Sequence, residues 1–305
     1  MTVLLFPGQG AQRPGFLHDL PDRPEIAATL AEAGAVLGTP ALALDGEEAL
    51  RSTVAVQLSL LIAGVATARI IAADAVAGLS VGSFAAGVAA GAIAFADALR
   101  LVRLRASLME RAYPSGYGMA ALGGLRETRV AALIAAATAP GEPLYIANLN
   151  APAEIVATGA EAALERLIGL ARAAGARRAV RLAVSVPSHC PLLAPVAERL
   201  AREIEGIDLA VPRRIWVGNR RARVLRDVAA VRGELAGNLA HPVLWHDSVA
   251  LLHELGERLF LEAPPGEGLT ALVAAHFPDA TARAVAATPP ATLEHLIRVR
   301  GAAEG

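Results

Sequence analysis

The segment Gly78-Leu79-Ser80-Val81-Gly82 has the Gly-x-Ser-x-Gly spacing that presents a serine at a sharp turn between a strand and a helix. A short apolar run at 75–77 precedes it, and an apolar helical pattern follows it. The glycines allow so tight a turn because they have no Cβ atom. The first N–H groups of the following helix can stabilise an anion beside the serine. We therefore predict that Ser80 is a nucleophile, although the pattern also arises by chance in chains rich in alanine and glycine.

A nucleophilic serine requires a base, and histidine is the usual one. His189 is the leading candidate because it lies in the loop 186–191, where the chain is expected to return from a smaller domain. A histidine that merely caps or lines this loop would fit the position equally well. His253 and His295 lie in predicted helices and are expected at the surface, and the neighbours His246-Asp247 cannot face each other in a helix. The chain has seven histidines: His18, His189, His241, His246, His253, His276 and His295.

The glycine-rich turn Pro7–Gln12 follows the first predicted strand and can present backbone N–H groups to an oxyanion. The amides of Gln9 and Val81 are the predicted pair, since the residue after the nucleophile commonly supplies one donor. An ordinary strand-ending turn is the alternative interpretation of this loop. The chain has neither the Gly-x-x-x-x-Gly-Lys pattern nor any lysine, which argues against a phosphate-binding loop.

Because lysine is absent, a fixed cation in the site must be an arginine or a protonated histidine. Arg103 and Arg105 lie on one predicted helix and project to different sides of it. One of them can be a solvated surface charge. A buried one would require a carboxylate partner, supplied either by the protein or by a substrate.

The chain that must position these residues has 305 residues, is 54% hydrophobic and has a mean hydropathy of +0.46. This length can form a large domain with a smaller companion. No uninterrupted apolar run reaches the roughly 18 residues of a membrane-spanning helix, so no membrane partner is expected. The net charge of −1 gives no field that would attract nucleic acid. The apolar start Val3–Phe6 runs directly into Pro7 without a leader pattern, which predicts a cytoplasmic protein. The single Cys190 excludes an internal disulfide and an all-cysteine metal site.

Alternating apolar strands and helical patterns predict an α/β fold with a mostly parallel sheet. The middle of the chain instead has the order β-α-β-β-α-β, which is typical of a ferredoxin-like unit. We predict a large domain of residues 1–118 and 186–305, an inserted small domain of residues 119–185, and a ligand-binding cleft between them. The predicted strands of the large domain are 3–6, 75–77, 215–217 and 259–261, and its clearest helices are 25–37, 54–70 and 96–112.

Four motifs occur in an order and spacing that resemble those of malonyl-CoA:acyl carrier protein transacylases. They are the turn Phe6–Gln12, the serine turn, the helical segment Leu101–Met109 and the loop Val184–Leu193. The resemblance covers nearly the whole chain. It implies an α/β-hydrolase-like core with a ferredoxin-like insert. It extends to Gln57, Asn148, Asn150, His241–Trp245 and Glu262–Gly266.

The resemblance also implies a role for each candidate residue. Ser80 would be the nucleophile, His189 its base and Arg105 the partner of the malonyl carboxylate. Malonyl-CoA would be a substrate, an acyl carrier protein the partner, and no cofactor or metal would be bound. The remaining implied roles are an oxyanion hole from the Gln9 and Val81 amides, substrate binding by Gln57 and Asn148, and orientation of the histidine by the backbone of His241.

Two departures from the family pattern bear on the identity of the carrier. Leu79 and Ser83 stand where members of fatty acid synthesis usually have a histidine and a glutamate, and an alanine follows Arg105 where glycine is usual. Together with the segments 13–22 and 112–119, the altered turn resembles the transacylase subunit of bacterial malonate decarboxylase. That subtype implies a carrier with a phosphoribosyl-dephospho-CoA arm, and other decarboxylase subunits as further partners.

Several alternatives remain open at this level. The first is a transacylase of fatty acid or polyketide synthesis, and others are a serine thioesterase or carboxylesterase and a non-catalytic scaffold. A group of arginines could dock an acidic carrier or the phosphates of coenzyme A, and a solvated loop face would explain it equally well. This group comprises Arg213, Arg214, Arg220, Arg221 and Arg223.

Overall fold

The computed structural model describes residues 2–302, so residue 1 and residues 303–305 of the predicted large domain lie outside the described residues. The strands, numbered along the chain, are β1 (Thr2–Phe6), β2 (Ala75–Gly78), β3 (Tyr117–Gly123), β4 (Leu144–Ala151), β5 (Glu154–Ala160), β6 (Arg178–Arg181), β7 (Ile215–Val217), β8 (Leu259–Glu262) and β9 (Thr281–Ala284). The helices are α1 (Pro24–Leu37), α2 (Thr53–Ile70), α3 (Gly82–Ala89), α4 (Phe95–Ala112), α5 (Glu127–Ala137), α6 (Glu161–Ala173), α7 (Ala194–Ile204), α8 (Val228–Gly237), α9 (Trp245–Glu254), α10 (Gly268–His276) and α11 (Pro290–Ala302).

A five-stranded sheet in the order β7-β2-β1-β8-β9 forms the centre of the larger part of the molecule. All four strand pairs in it are parallel. Alternate residues of β1 enter different cores: Leu4 and Phe6 pack with α2, α3 and α4, whereas Val3 and Leu5 pack with α9 and α10. Both faces are therefore covered, as parallel sheets require. This sheet confirms the predicted α/β class.

A four-stranded antiparallel sheet in the order β4-β5-β3-β6 forms a second unit, which we call the antiparallel unit (117–181). Its elements follow the predicted β-α-β-β-α-β order. Apolar side chains of α5 and α6 cover one face of this sheet in a core of their own, separate from those of the parallel sheet. The first strand begins at Tyr117 and the last ends at Arg181. The predicted limits of the small domain, 119–185, remain a prediction.

One helix, α2, is long and apolar enough to cross a membrane, with a mean hydropathy of 1.6 over its 18 residues. Gln57 and Arg69 interrupt its apolar sequence, so the prediction that no uninterrupted apolar run is this long still holds. In the folded protein, 78% of that helix is buried. Gly64 shows how closely it packs, because a Cβ atom there would lie 2.9 Å from the Phe6 ring and from the Cβ of Ala85. The apolar composition of α2 is that of a helix enclosed by its neighbours.

The parallel arrangement determines where the functional residues meet. The carboxyl ends of parallel strands lie along one edge of a sheet, and ligands of open α/β sheets bind outside that edge. Here the chain leaves β1 toward Gln9, β2 toward Ser80 and β7 toward Asn219. Three loops that are far apart in the sequence thus converge on one small region.

Candidate active site

The predicted nucleophile turn forms between β2 and α3. At Gly78 a Cβ atom would lie 2.1 Å from the backbone of Gly82, and at Gly82 it would lie 2.3 Å from the Phe6 carbonyl oxygen. Only glycine fits at either position, which explains the spacing of the motif. Ser80 adopts a φ of 56°, a left-handed conformation that is uncommon for a residue with a side chain. The turn holds the Ser80 hydroxyl at the carboxyl edge of the parallel sheet.

His189 is brought to Ser80 from a loop more than 100 residues further along the chain. Its Nε2 lies 2.7 Å from the Ser80 Oγ, close enough to accept the hydroxyl proton. The residue is buried and has a φ of 63°. Its backbone N–H donates to the Leu239 carbonyl at 2.8 Å, which fixes the loop in place.

The ring of His189 is oriented mainly by a different residue from the predicted one. Its Nδ1 lies 2.9 Å from the carbonyl oxygen of Asn238, so Nδ1–H donates there and Nε2 keeps a free lone pair. The His241 carbonyl, which was predicted for this role, acts on the same ring only as a further acceptor. A 3₁₀ turn over Asn238–Ala240 carries the earlier carbonyl to the ring. The predicted type of contact is present, three residues upstream.

The protonation state of His189 suits a base. Burial lowers its pKa to about 4, and the positive charge of Arg105 acts in the same direction. The Asn238 and His241 carbonyls favour the cation and only partly offset these effects. The imidazole is therefore neutral at neutral pH and can receive a proton from Ser80.

Arg105 is the arginine of α4 that turns inward, whereas Arg103 is exposed. The guanidinium is fully buried, and its Nη2 lies 3.2 Å from the Ser80 Oγ. Nη1 donates to the Oε1 of Gln57, while Nε has no partner. Among the residues that the structure describes, no aspartate or glutamate pairs with this group. Burial lowers its pKa only to about 10, so the guanidinium remains positively charged at neutral pH. It lies beside Ser80 without a carboxylate partner among the described residues.

Gln57 links the arginine to the glycine-rich turn after β1. Its side chain is buried on α2, accepts a hydrogen bond from Arg105 and lies 3.4 Å from the Gln9 side chain. The sequence analysis assigned Gln57 to substrate binding. In this structure it holds Arg105 in place, at one wall of the space around Ser80.

The two amides predicted for the oxyanion hole belong to the glycine-rich turn after β1 and to the residue that follows Ser80. Gly8 packs against the turn so closely that a Cβ atom there would lie 2.8 Å from the Leu79 carbonyl oxygen. The same Cβ atom would lie 3.5 Å from the Ser80 Cβ, so the residue before Gln9 packs against the nucleophile. Within residues 2–302, neither the Gln9 nor the Val81 amide donates a hydrogen bond to the protein. Both donors are therefore available to an oxyanion.

The remaining predicted residues lie further from the nucleophile. Asn148 is buried in β4 and pairs with Val243, joining the antiparallel unit to the segment before α9. Its predicted contact with substrate stays a prediction. Cys190 adjoins His189, but its thiol donates to the Pro187 carbonyl, and burial raises its pKa to about 11, which disfavours the reactive thiolate.

Sequence reasoning missed Asn219 and Asn238, which hold the backbone of the nucleophile. The Ser80 N–H donates to the Oδ1 of Asn219 at 3.0 Å. The Ser80 carbonyl accepts from the Nδ2 of Asn238 at 3.2 Å. Asn219 follows a predicted strand at the edge where the site forms, and this position could have indicated a functional role. No sequence pattern indicates a role for Asn238, because its contact with His189 uses a backbone carbonyl.

A groove of about 560 Å³ opens at His189. One wall comes from the antiparallel unit and includes Ile134 and Tyr145, and the other includes Pro191 and Pro242. The groove is mostly apolar and reaches the reactive groups at His189. A serine, a neutral imidazole, two free amides and an unpaired guanidinium can together perform acyl transfer through a serine ester.

Comparison with known proteins agrees with this chemistry. The family model described as an acyl transferase domain matches residues 3–293, so by class the protein is an acyltransferase. The malonyl CoA-acyl carrier protein transacylase of Salmonella typhimurium is 38% identical over 281 residues, covering 88% of this chain and 91% of the relative. The Bacillus subtilis protein of the same name is 34% identical and covers 97% of this chain and 96% of the relative.

Two solved structures have the same architecture. The acyl-carrier-protein S-malonyltransferase of Burkholderia pseudomallei has a TM-score of 0.91 at 35% identity, covering 97% of this chain and 99% of the other. A malonyl-transacylase in complex with a type II polyketide synthase acyl-carrier protein has a TM-score of 0.89 at 38% identity, covering 94% and 96%. The chain belongs to the malonyl-CoA:acyl carrier protein transacylase family.

Proposed function

We propose that this protein transfers the malonyl group of malonyl-CoA to the thiol of an acyl carrier protein through a malonyl-serine ester. The observation that carries the proposal is the buried, unpaired guanidinium of Arg105 beside Ser80. A short acyl group that ends in a carboxylate would pair with Arg105 and bring its thioester carbonyl to the Ser80 Oγ. The names of the relatives support the same donor and the same class of acceptor.

The reaction has two matched halves. In the first, Ser80 Oγ attacks the thioester carbon while His189 Nε2 takes the hydroxyl proton, and the Gln9 and Val81 amides stabilise the oxyanion. The carbon–sulfur bond then breaks, and His189 returns the proton to the departing coenzyme A thiolate, which leaves as the thiol. In the second half the carrier thiol gives its proton to His189 and its sulfur attacks the ester carbonyl. The bond between that carbon and the Ser80 Oγ then breaks, and His189 returns the proton to the Ser80 Oγ. The proton balance closes in each half.

The relatives favour a carrier of fatty acid or polyketide synthesis, the alternative in the sequence analysis, over the carrier of malonate decarboxylase. The decarboxylase carrier stays as the second candidate because of Leu79 and Ser83. We expect kcat/KM to be higher for a carrier with a 4′-phosphopantetheine arm than for one with a phosphoribosyl-dephospho-CoA arm. The opposite ranking, measured with both carriers fully loaded, would establish the second candidate.

Formation of the covalent intermediate is the primary test. Mixing the protein with malonyl-CoA should add the mass of one malonyl group, and Ser80→Ala should abolish this addition. Intact-protein mass spectrometry measures both, and peptide mapping locates the ester. Persistent modification of the Ser80→Ala protein would place the nucleophile elsewhere. Rapid malonyl-CoA turnover without an acceptor thiol would identify a thioesterase instead.

Arg105→Ala tests the selectivity for a carboxylate-bearing acyl group. An acetyl thioester leaves the guanidinium unpaired, so the parent protein should prefer malonyl-CoA over acetyl-CoA by roughly two orders of magnitude or more in kcat/KM. The variant should lose most of that preference. Arg103→Ala is the matched control, because Arg103 is an exposed arginine on the same helix. An unchanged ratio in Arg105→Ala would refute the assigned role.

A further inference from the structure

Glu234 is a buried carboxylate beneath the nucleophile turn that the proposed reaction does not use. It lies on α8 and is 3% exposed. Its Oε1 accepts the backbone N–H of Asn219 at 2.8 Å and lies 3.2 Å from the Ser83 hydroxyl. Its Oε2 accepts the backbone N–H of Arg220 at 3.4 Å. A carboxylate taken out of water is costly unless such donors compensate it, so the arrangement calls for an explanation.

The contacts lead from this carboxylate to the nucleophile through Asn219. The Nδ2 of Asn219 donates both hydrogens, to the Gly78 carbonyl and to the Ser83 hydroxyl, each at 2.7 Å. Its Oδ1 accepts the Ser80 N–H. All the hydrogens of the side-chain amide are thus engaged, and its orientation is fixed. Glu234 anchors the backbone of the same residue, and Ser83 connects the two.

The Ser80 backbone needs such support. Its φ of 56° is a conformation that a serine adopts only when its surroundings impose it. The Asn219 side chain holds its N–H, and a release of that contact would let the turn relax. Relaxation would move the Oγ away from its 2.7 Å contact with His189.

We propose that Glu234 is a positioning residue that fixes the left-handed backbone of Ser80 through Asn219 and thereby sets the distance from the Ser80 Oγ to His189. The role rests on the proposed function only for the identity of the acyl donor. The carboxylate sits on α8, outside the nucleophile turn, and Ser83 occupies the place where the family pattern has a glutamate. The turn therefore obtains its carboxylate from a neighbouring helix.

The test uses the full chain and a fluorophosphonate probe, which labels an activated serine whatever the natural acyl donor is. Glu234→Ala should slow labelling of Ser80 by about tenfold or more, since small misplacements of reacting groups carry large penalties in rate. With malonyl-CoA, kcat should fall while KM stays within about twofold, because Glu234 does not line the groove. Glu234→Gln should keep most of the rate, as its carbonyl oxygen can still accept from Asn219. Glu205→Ala, which removes an exposed carboxylate, is the control.

A relocation variant separates positioning from a general loss of stability. In Ser83→Glu with Glu234→Ala, the new carboxylate can occupy the space that the truncated side chain vacates, so labelling should recover relative to Glu234→Ala alone. Labelling of folded Glu234→Ala within twofold of the parent would overturn the proposal. Should that variant not fold, labelling of Asn219→Ala at the parent rate would overturn it equally. If the probe labels the parent but malonyl-CoA does not acylate it, only the proposed function fails.

Discussion

At the scale of single residues, Arg105 acts on the base and, in the proposed reaction, also on the substrate. Its charge lies close enough to His189 to disfavour the imidazolium, and burial disfavours it further. A malonyl carboxylate bound to Arg105 would neutralise that charge and make the imidazolium less costly during the attack. The correct substrate would thus strengthen the base that activates Ser80, whereas an acetyl group would not.

The pH dependence of kcat/KM reports this coupling. His189 must be neutral to act, and its pKa is lowered to about 4. We therefore expect kcat/KM to stay constant as the pH is lowered from 7 to 5 and to fall below about pH 4. In Arg105→Ala the acidic limb should move to higher pH, since one cause of the lowered pKa is removed. Steady-state rates in buffers of constant ionic strength measure both. Identical limbs in the two proteins, or a parent limb near pH 6.5, would contradict the coupling.

Residue types and spacing made Ser80 and His189 candidates, whereas the family resemblance was needed to select Arg105 over Arg103 and to place the three residues in one site. Each has a side chain whose chemistry is recognisable from the sequence together with its local pattern. Asn238 and Glu234 could not be found in this way. One acts through a backbone carbonyl, and the other looks like an ordinary surface glutamate of a helix until the fold buries it.

At the scale of secondary-structure elements, Glu262 joins β8 to α10. It lies at the carboxyl end of the strand, 1% exposed, and accepts the Thr270 N–H at 2.8 Å in the first turn of the helix. Burial raises its pKa to about 7 against these hydrogen bonds. Between about pH 4.5 and pH 7, the folded protein therefore holds a proton on this carboxyl that the unfolded chain has already released.

The consequence is a stability that falls as the pH rises through that window. At about 1.4 kcal/mol for each unit of pKa, the shift from 4.5 to about 7 corresponds to roughly 3 kcal/mol lost between pH 4.5 and pH 7. Glu262→Gln keeps an acceptor for Thr270 but cannot titrate. Its free energy of unfolding should therefore change less than that of the parent between pH 5 and pH 8, so that the difference between the two proteins shifts in favour of the variant at pH 8. Urea unfolding at both pH values measures the difference. A gap between the two proteins that is the same at both pH values would exclude this linkage.

Most elements could be predicted within a few residues because their apolar patterns are regular. The strand β9 was missed since it is only four residues long, contains an arginine and alternates buried with exposed positions at the sheet edge. The strand β6 is also short, because the chain leaves the antiparallel sheet after Arg181 to carry His189 back toward Ser80. Local sequence does not encode where such a crossing begins.

At the scale of the whole molecule, charge is nearly balanced, so a carrier would have to be attracted by a local feature. Arg221 and Arg223 are exposed and line a cavity of about 390 Å³ together with Arg220. The Arg220 guanidinium lies 3.1 Å from His241, a residue of the groove that leads to His189. This group of arginines thus adjoins the entrance to the reactive serine.

Arg221→Glu should raise the KM for an acidic carrier, and the effect should shrink as salt is added, since exposed charges are screened. The rate of malonyl-serine formation from malonyl-CoA should be unchanged, because the Arg221 side chain is exposed and does not line the groove at His189. Arg283→Glu, an exposed charge reversal on the edge strand β9, is the matched control. If Arg221→Glu and Arg283→Glu have equal KM values for the carrier, the segment that carries Arg220, Arg221 and Arg223 is only a solvated surface.

The separate cores of the two sheets have a mechanical consequence. Ser80, His189 and Arg105 all belong to the part built on the parallel sheet, whereas one wall of the groove is carried by the antiparallel unit. The packing that supports this wall is therefore distinct from the packing that sets the spacing of the reacting atoms. A substitution inside the core of the antiparallel unit should alter the shape of the entrance more than the distance between Ser80 and His189.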